Sequence, residues 1–314
     1  MSVRPAQRAA TAVGTVVWSI HAIAASLVAK RLPALETAYG PADVEPEAIP
    51  ALLAGAAIAW IDHTALPTAV AARCAGLTDV VFLGTGARSY MDPEALAELG
   101  ITVHLIKGYG DTAVAEHTIA LLFAAAREVA AMDRAMREGT WLRREGVQLA
   151  GKTLGLVGLG GIAAEVARIA SGIGMRVVAW NRTPRRMDGV ELVTVERLLA
   201  ESDAVSMHLL LNDETRGFLS RQRIAAMRSG AILVNTARGA LVDEDAMVEA
   251  LRSGHLGHAA LDVFAVEPLP AGHVLTTLAN VTLSAHSAFR TPEANVRLIE
   301  AAVAHCERIV AGGG

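Results

Sequence analysis

The sequence predicts an α/β protein built on parallel, doubly wound sheet, and three observations carry that expectation. Residues 153–180 read as a strand, a glycine turn, a helix and a second strand. The same alternation runs on from Lys152 to about Ser287. Residues 1 to about 107 show a separate alternation, so the 314 residues suffice for two α/β units, each with a core of its own.

Taken in chain order, Gly14-Thr15-Val16-Val17-Trp18 is the expected first strand. Ile58–Ile61 and Val80–Leu83 are apolar runs of strand length, Pro93–Leu99 a short helix and Ile101–Ile106 another strand. Gly84-Thr85-Gly86 follows a strand but lacks a third small residue and a long helix, so it reads as a loop with exposed N–H groups for a substrate anion. Asp111 to Met136 reads as one long helix with an apolar face that joins the two halves. Thr153–Val157, Met175–Trp180, Ala204–Leu210, Ile232–Thr236, Ala259–Val263 and Val281–Leu283 are the strands of the second unit. Ala164–Ile173 is a helix ended by Gly174, and Pro292–Val310 is a final amphipathic helix.

Composition bounds the function. With 28 Lys and Arg against 32 Asp and Glu the net charge is −4, which gives no general basic surface for nucleic acid. The apolar stretches fall short of a membrane span. Arg4 and Arg8 before an alanine-rich run slightly imitate a leader, but His21 and Lys30 interrupt it, and a structural N-terminus is expected. Cys74 and Cys306 lie far apart and read as ordinary cytoplasmic thiols. His255 and His258 have the spacing of a metal pair, but Gly254 and Gly257 favour a helix-to-strand loop, so no metal is expected.

The turn Gly158-Leu159-Gly160-Gly161-Ile162-Ala163 carries the first chemical signal. A pyrophosphate needs backbone donors at a helix N-terminus with no side chain in the way. Gly158 permits the tight turn, Gly160 admits the phosphates, and Ala163 allows close packing of helix on strand. Asn181 lies eighteen residues beyond Ala163 (181 − 163 = 18), near where an acid would hold the ribose of NAD. No acid stands there. Arg182, Arg185 and Arg186 can pair with a 2′-phosphate, so NADP(H) is the expected cofactor, with NAD(H) as the alternative. The expected cofactor set is Gly158, Gly160, Gly161, Ile162, Asn181, Arg182, Thr183 and Arg185.

Ligands on such a sheet bind beyond the carboxyl ends of the strands. Arg238, Glu267 and His286 each follow a successive predicted strand. Reduction of a ketone leaves an alkoxide that needs a proton, and histidine supplies one near neutral pH. A carboxylate stabilises the protonated ring and fixes it, while arginine binds a substrate carboxylate and polarises the carbonyl. Singly, Arg238 could pair with Asp243 or Glu244, Glu267 could be a turn residue and His286 a core histidine. Three of them at successive strand ends favour a site.

With these residues in place, the chain resembles the D-isomer-specific 2-hydroxyacid dehydrogenases. The matching segments are Val114-Ala115-Glu116-His117, Gly158 to Ala163, Val234 to Gly239, Leu261 to Leu269, and Ala285-His286-Ser287-Ala288-Phe289. They cover roughly 108–292 in order; residues 1–107 match in pattern only. The resemblance implies two Rossmann-like domains, the substrate domain being discontinuous: 1–107 with 288–314 for substrate, and 108–287 for the dinucleotide. It implies Arg238, Glu267 and His286 as the catalytic set, Asp262, Thr112 and Ala237 near the nicotinamide, and Thr85 and Gly86 with Arg238 and His286 around the substrate. A homodimer packed through the cofactor domain and its long helix is implied as well, and the two thiols lead to a cytoplasmic location as the expectation. Ala163 in place of a third glycine, a missing proline after His208, and a longer loop from Gly84 to Asp92 depart from the pattern. Arg88 in that loop reads as an exposed side chain; with Tyr90, its alternative is a second polar group of the substrate.

The expected activity is NADPH-dependent reduction of a small 2-oxo acid, of glyoxylate or hydroxypyruvate type, to a D-2-hydroxy acid. A phosphoglycerate-dehydrogenase-like oxidoreductase and a cofactor-sensing, corepressor-like binding protein are the alternatives.

Overall fold

The structure is a computed structural model that describes residues 9–13, 18–33, 35, 37–39 and 44–312. It divides into two compact units, residues 1–110 with 291–314, and residues 111–290.

Unit 1 contains β1 (Ala9–Val13), α1 (Trp18–Arg31), β2 (Thr37–Tyr39), α2 (Ile49–Leu52), β3 (Ala56–Ile61), α3 (Thr68–Ala71), β4 (Asp79–Phe82), α4 (Pro93–Glu98) and β5 (Thr102–Leu105). The five strands pair in parallel in the order β2-β1-β3-β4-β5. The central β3 is buried throughout. Its alternate residues serve opposite faces, as the pleat requires. Ile58 and Trp60 pack with Leu298, Ile299 and Val303 of the C-terminal helix Pro292–Val310, and Ala59 and Ile61 pack with Leu66 and Leu96. Thr291 and Asp92 cap the C-terminal helix and α4 through their side chains. Cys74 and Cys306 are buried free thiols, and the Trp60 indole N–H donates to Cys306 Sγ at 3.0 Å.

Unit 2 contains α5 (Asp111–Ala126), α6 (Val129–Arg137), β6 (Thr153–Val157), α7 (Gly161–Gly172), β7 (Arg176–Trp180), β8 (Val190–Leu192), α8 (Val195–Glu201), β9 (Ala204–Met207), α9 (Arg221–Ala225), β10 (Ala231–Asn235), α10 (Glu244–Ser253), β11 (Leu256–Leu261) and β12 (Val281–Leu283). All seven strands run parallel in the order β12-β11-β10-β9-β6-β7-β8. The strand order reverses between β6 and β9, and such a switch point opens a crevice at the carboxyl ends of the strands. Leu154, Leu156 and Val177 face α5 and α7, while Val157, Val178 and Leu233 face α8 to α10.

Four expectations change. Residues 14–17 of the expected first strand lie outside the described residues, and Trp18 opens α1. The single long helix is two: Glu128 takes a left-handed φ of 50°, and the Ala126 carbonyl, which a continuous helix would use, accepts the N–H of Val147 at 2.7 Å. The strand expected to reach Leu210 stops at Met207, because its neighbours β6 and β10 end level with it. His258 lies inside β11 rather than in a loop, bonded to Thr282 Oγ1 at 2.9 Å. Among the described residues no helix is long and apolar enough to cross a membrane.

Candidate active site

The glycine turn joins β6 to α7. Gly158 has φ 99°, and a Cβ there would stand 2.7 Å from the carbonyl oxygen of His208. Gly160 is the N-cap of α7, with no side-chain cap, and a Cβ on it would meet nothing within 4 Å. An uncapped helix N-terminus beside open space suits a pyrophosphate, so the residues present fit a dinucleotide. Ala163 is wholly buried, as close packing of α7 requires.

The second strand end is tied to this turn. Asn181 Oδ1 accepts the Leu159 N–H at 3.0 Å and Asn181 Nδ2 donates to the Thr183 carbonyl at 2.6 Å. Asn181 therefore ties the glycine turn to the segment that follows β7. Arg185 donates to the Leu159 carbonyl at 3.4 Å, and the exposed Arg182 pairs with Glu214. Asp111, at the start of α5, presses its carboxylate on Gly161: a Cβ there would lie 1.9 Å from Asp111 Oδ2. Burial, and then the charge of Glu165, push the Asp111 carboxyl above its ordinary value. Thr112 beside it is exposed.

Arg238, Glu267 and His286 come together at the carboxyl end of the sheet. Asn235 closes β10 and shapes the next turn: its Oδ1 accepts the Ala237 N–H at 3.0 Å and its Nδ2 donates to the Arg238 carbonyl at 2.9 Å. Arg238 Nη1 donates to the Ala237 carbonyl at 2.7 Å. Asp243 caps α10 and Glu244 faces His273, so these two acids are engaged elsewhere. Glu267 Oε1 accepts the Phe264 N–H at 2.8 Å, and His286 Nδ1 donates to Glu267 Oε2 at 2.6 Å. The two side chains retain 30% and 19% of their exposure. Burial works to raise the Glu267 carboxyl, but the His286 hydrogen bond, the Phe264 N–H and the charges of His286 and Arg238 hold it below its usual value. A carboxylate held ionised, bonded to Nδ1, fixes the ring and leaves acid chemistry to Nε2. The Phe289 ring stands edge-on to His286 at 6.3 Å.

Asp262 follows β11 and is wholly buried. It accepts from Ser284 Oγ and from the N–H groups of Ser287 and Ala288. Burial would raise its carboxyl, but these bonds together with His117 hold it below its ordinary value.

In unit 1, Thr85 and Gly86 follow β4 and lead into a 3-10 turn, Ala87–Ser89. Tyr90 stacks on Phe82, and Arg88 pairs with Glu94, both largely exposed. Among the described residues no group of three or more His, Cys, Asp or Glu side chains could hold a metal ion. Local sequence gives Asp111, Glu214, Ser284 and His117 no role of their own. Ser284 and His117 stood within or beside the quoted motifs, whereas the contacts of Asp111 and Glu214 arise only from folding.

A family model described as D-isomer specific 2-hydroxyacid dehydrogenase, NAD binding domain, matches residues 119–288. The chain is 43% identical over 221 residues to a glyoxylate reductase of Aeropyrum pernix, a span of 66% of this chain and 66% of that protein. It is 34% identical over 277 residues to a glycerate dehydrogenase of Methylorubrum extorquens, covering 85% and 87% of the two chains. The crystal structure of the TT0316 protein from Thermus thermophilus superposes with a TM-score of 0.87 at 37% identity, covering 97% of each chain.

Proposed function

Because this chain belongs to the D-isomer specific 2-hydroxyacid dehydrogenases, we propose that it reduces a small 2-oxo acid to a D-2-hydroxy acid, with NADPH preferred to NADH. The observation that carries the reading is the 2.6 Å bond between His286 Nδ1 and Glu267 Oε2, beside Arg238 at the carboxyl end of a parallel sheet.

The bound cofactor supplies the hydride. The chain's own residues do the rest. Gly158, Gly160, Gly161 and Ile162 present the N-terminus of α7 to the pyrophosphate. Arg182 and Arg185 take the 2′-phosphate, with Thr183 beside them, and Asn181 holds the turn in shape. Thr112, Ala237 and Asp262 are assigned to the nicotinamide half. Arg238 binds the substrate carboxylate and polarises its carbonyl. His286 Nε2 delivers the proton to the alkoxide oxygen, and Glu267 stabilises the imidazolium while holding the ring. Thr85 and Gly86 of unit 1 are assigned to the substrate carboxylate through their backbone.

Glyoxylate and hydroxypyruvate are the first substrates to test. The glyoxylate reductase relative favours the first; the glycerate dehydrogenase relative favours the second, the 2-oxo counterpart of glycerate. A homodimer is proposed from Val129, Met136, Trp141 and Val147, large apolar side chains left about half or more exposed on α6 and the segment after it. The deciding assay is kcat/KM for both acids with NADPH and with NADH. Turnover with an NADPH preference supports the reading. Equal use of the cofactors removes the NADPH preference, and no turnover of any 2-oxo acid removes the activity.

A further inference from the structure

His286 rests at φ 47°, in the left-handed region that side chains bearing a Cβ seldom occupy. Such a conformation persists only where its surroundings over-determine it. Here the chain on both sides of His286 is gathered onto one residue. The Asp262 carbonyl accepts the His286 N–H at 2.7 Å. Asp262 Oδ1 accepts the Ser287 N–H at 3.0 Å, and Oδ2 accepts the Ala288 N–H at 2.9 Å. Ahead of the histidine, Ser284 Oγ donates to Asp262 Oδ1 at 2.6 Å. Since Ser284 has spent its proton on the carboxylate, His117 Nε2 of α5 must be the donor in its 2.9 Å bond to Ser284 Oγ; it also stands 3.4 Å from Asp262 Oδ1.

We propose that Ser284 and His117 are positioning residues for the reduction: they fix the Asp262 carboxylate, and through it the left-handed turn that presents His286 to the substrate. The proposal rests on reading His286 as the acid.

The electrostatics agree with the geometry. Asp262 is wholly buried, so its charge is tolerated only while enough donors surround it. The side-chain donors facing it are His117 from α5 and Ser284 from the segment after β12; the remaining donors are backbone. With Ser284 or His117 removed, burial gains on the remaining donors and protonation of Asp262 moves to higher pH. A protonated carboxyl has lost acceptor capacity, so the backbone bonds that shape the turn weaken and His286 leaves its reactive position.

The test is kcat and KM against pH, with the thermal midpoint as a folding control, for the wild type, Ser284→Ala, Ser284→Thr, His117→Leu and His117→Gln. Ser284→Ala and His117→Leu should lower kcat by about tenfold or more, as misplacing a reacting group does. The acid limb of the kcat profile should move to higher pH. Ser284→Thr and His117→Gln, which keep a donor, should restore both. Wild-type kcat in Ser284→Ala, or a loss with an unmoved acid limb and no rescue, would overturn the proposal. Should Ser284→Ala or His117→Leu not fold, the remaining member of the pair with its conservative partner decides by the same criteria. His286→Ala separates the two levels: wild-type kcat there removes the acid itself, whereas a large loss there alongside an unaffected Ser284→Ala removes only the positioning role.

Discussion

Gly239→Ala adds one methyl group where two site loops touch. A Cβ on Gly239 would lie 2.0 Å from the Phe264 carbonyl carbon, 2.2 Å from its oxygen and 2.4 Å from the Ala265 nitrogen. Comfortable contact between carbon atoms begins at ~3.5 Å, so one backbone must retreat by roughly 1.5 Å. Neither is a flexible side-chain tip. Gly239 follows Arg238 directly, and the Phe264 N–H holds Glu267 Oε1 at 2.8 Å, so the retreat moves either the arginine or the carboxylate that fixes His286. Overpacking of this kind costs about 1–3 kcal/mol. A shift of ~1 Å at a reacting group costs on the order of 100-fold in rate. The thermal midpoint should therefore fall by several degrees, and kcat/KM for glyoxylate or hydroxypyruvate should fall by about two orders of magnitude. Scanning calorimetry and steady-state kinetics on the purified variant measure both. Wild-type stability together with wild-type kcat/KM would refute the close approach of the two loops and the reasoning built on it.

Gly160→Ala is the contrasting case: its Cβ meets nothing within 4 Å, so the thermal midpoint should hold while the Kd for NADPH, read by fluorescence quenching, rises. Arg182→Ala should weaken NADPH binding more than NADH binding; its exposed pair with Glu214 is worth about 1 kcal/mol or less, so the fold should barely notice. A Kd ratio that does not move would remove Arg182 from 2′-phosphate recognition. Burial holds His258 at about 4 against an ordinary 6.5. With the folded value depressed, the unfolded chain takes up the proton first as pH falls below 6.5, so up to roughly 3 kcal/mol of stability is lost between 6.5 and about 4. Urea unfolding of His258→Gln should show a shallower loss over that window than the wild type; equal slopes would contradict the assignment.

Most of this was legible because buried parallel strands and glycine turns leave strong local signatures. The run Thr153–Val157 with Gly158 and Gly160 fixed strand, turn and helix by side-chain size alone, and Pro292 with its Thr291 cap marked the final helix. The break at Glu128 was not legible, since the N–H that takes the Ala126 carbonyl arrives from Val147, twenty-one residues later (147 − 126 = 21). Arg238, Glu267 and His286 could be named from their places after strands, because strand ends converge in any doubly wound sheet. Their supports could not. Asp111 against Gly161, Glu214 against Arg182 and His117 behind Ser284 join residues far apart in the chain, and no local pattern tells which partner each side chain meets.

The most direct measurement is kcat for reduction of glyoxylate and hydroxypyruvate by NADPH, in the wild type and in His286→Ala, followed by cofactor absorbance. Turnover by the wild type and a loss of about 10²–10⁴ in kcat in the variant are expected, with cofactor affinity retained. A wild type that turns over neither acid, or a His286→Ala variant with undiminished kcat, would contradict it.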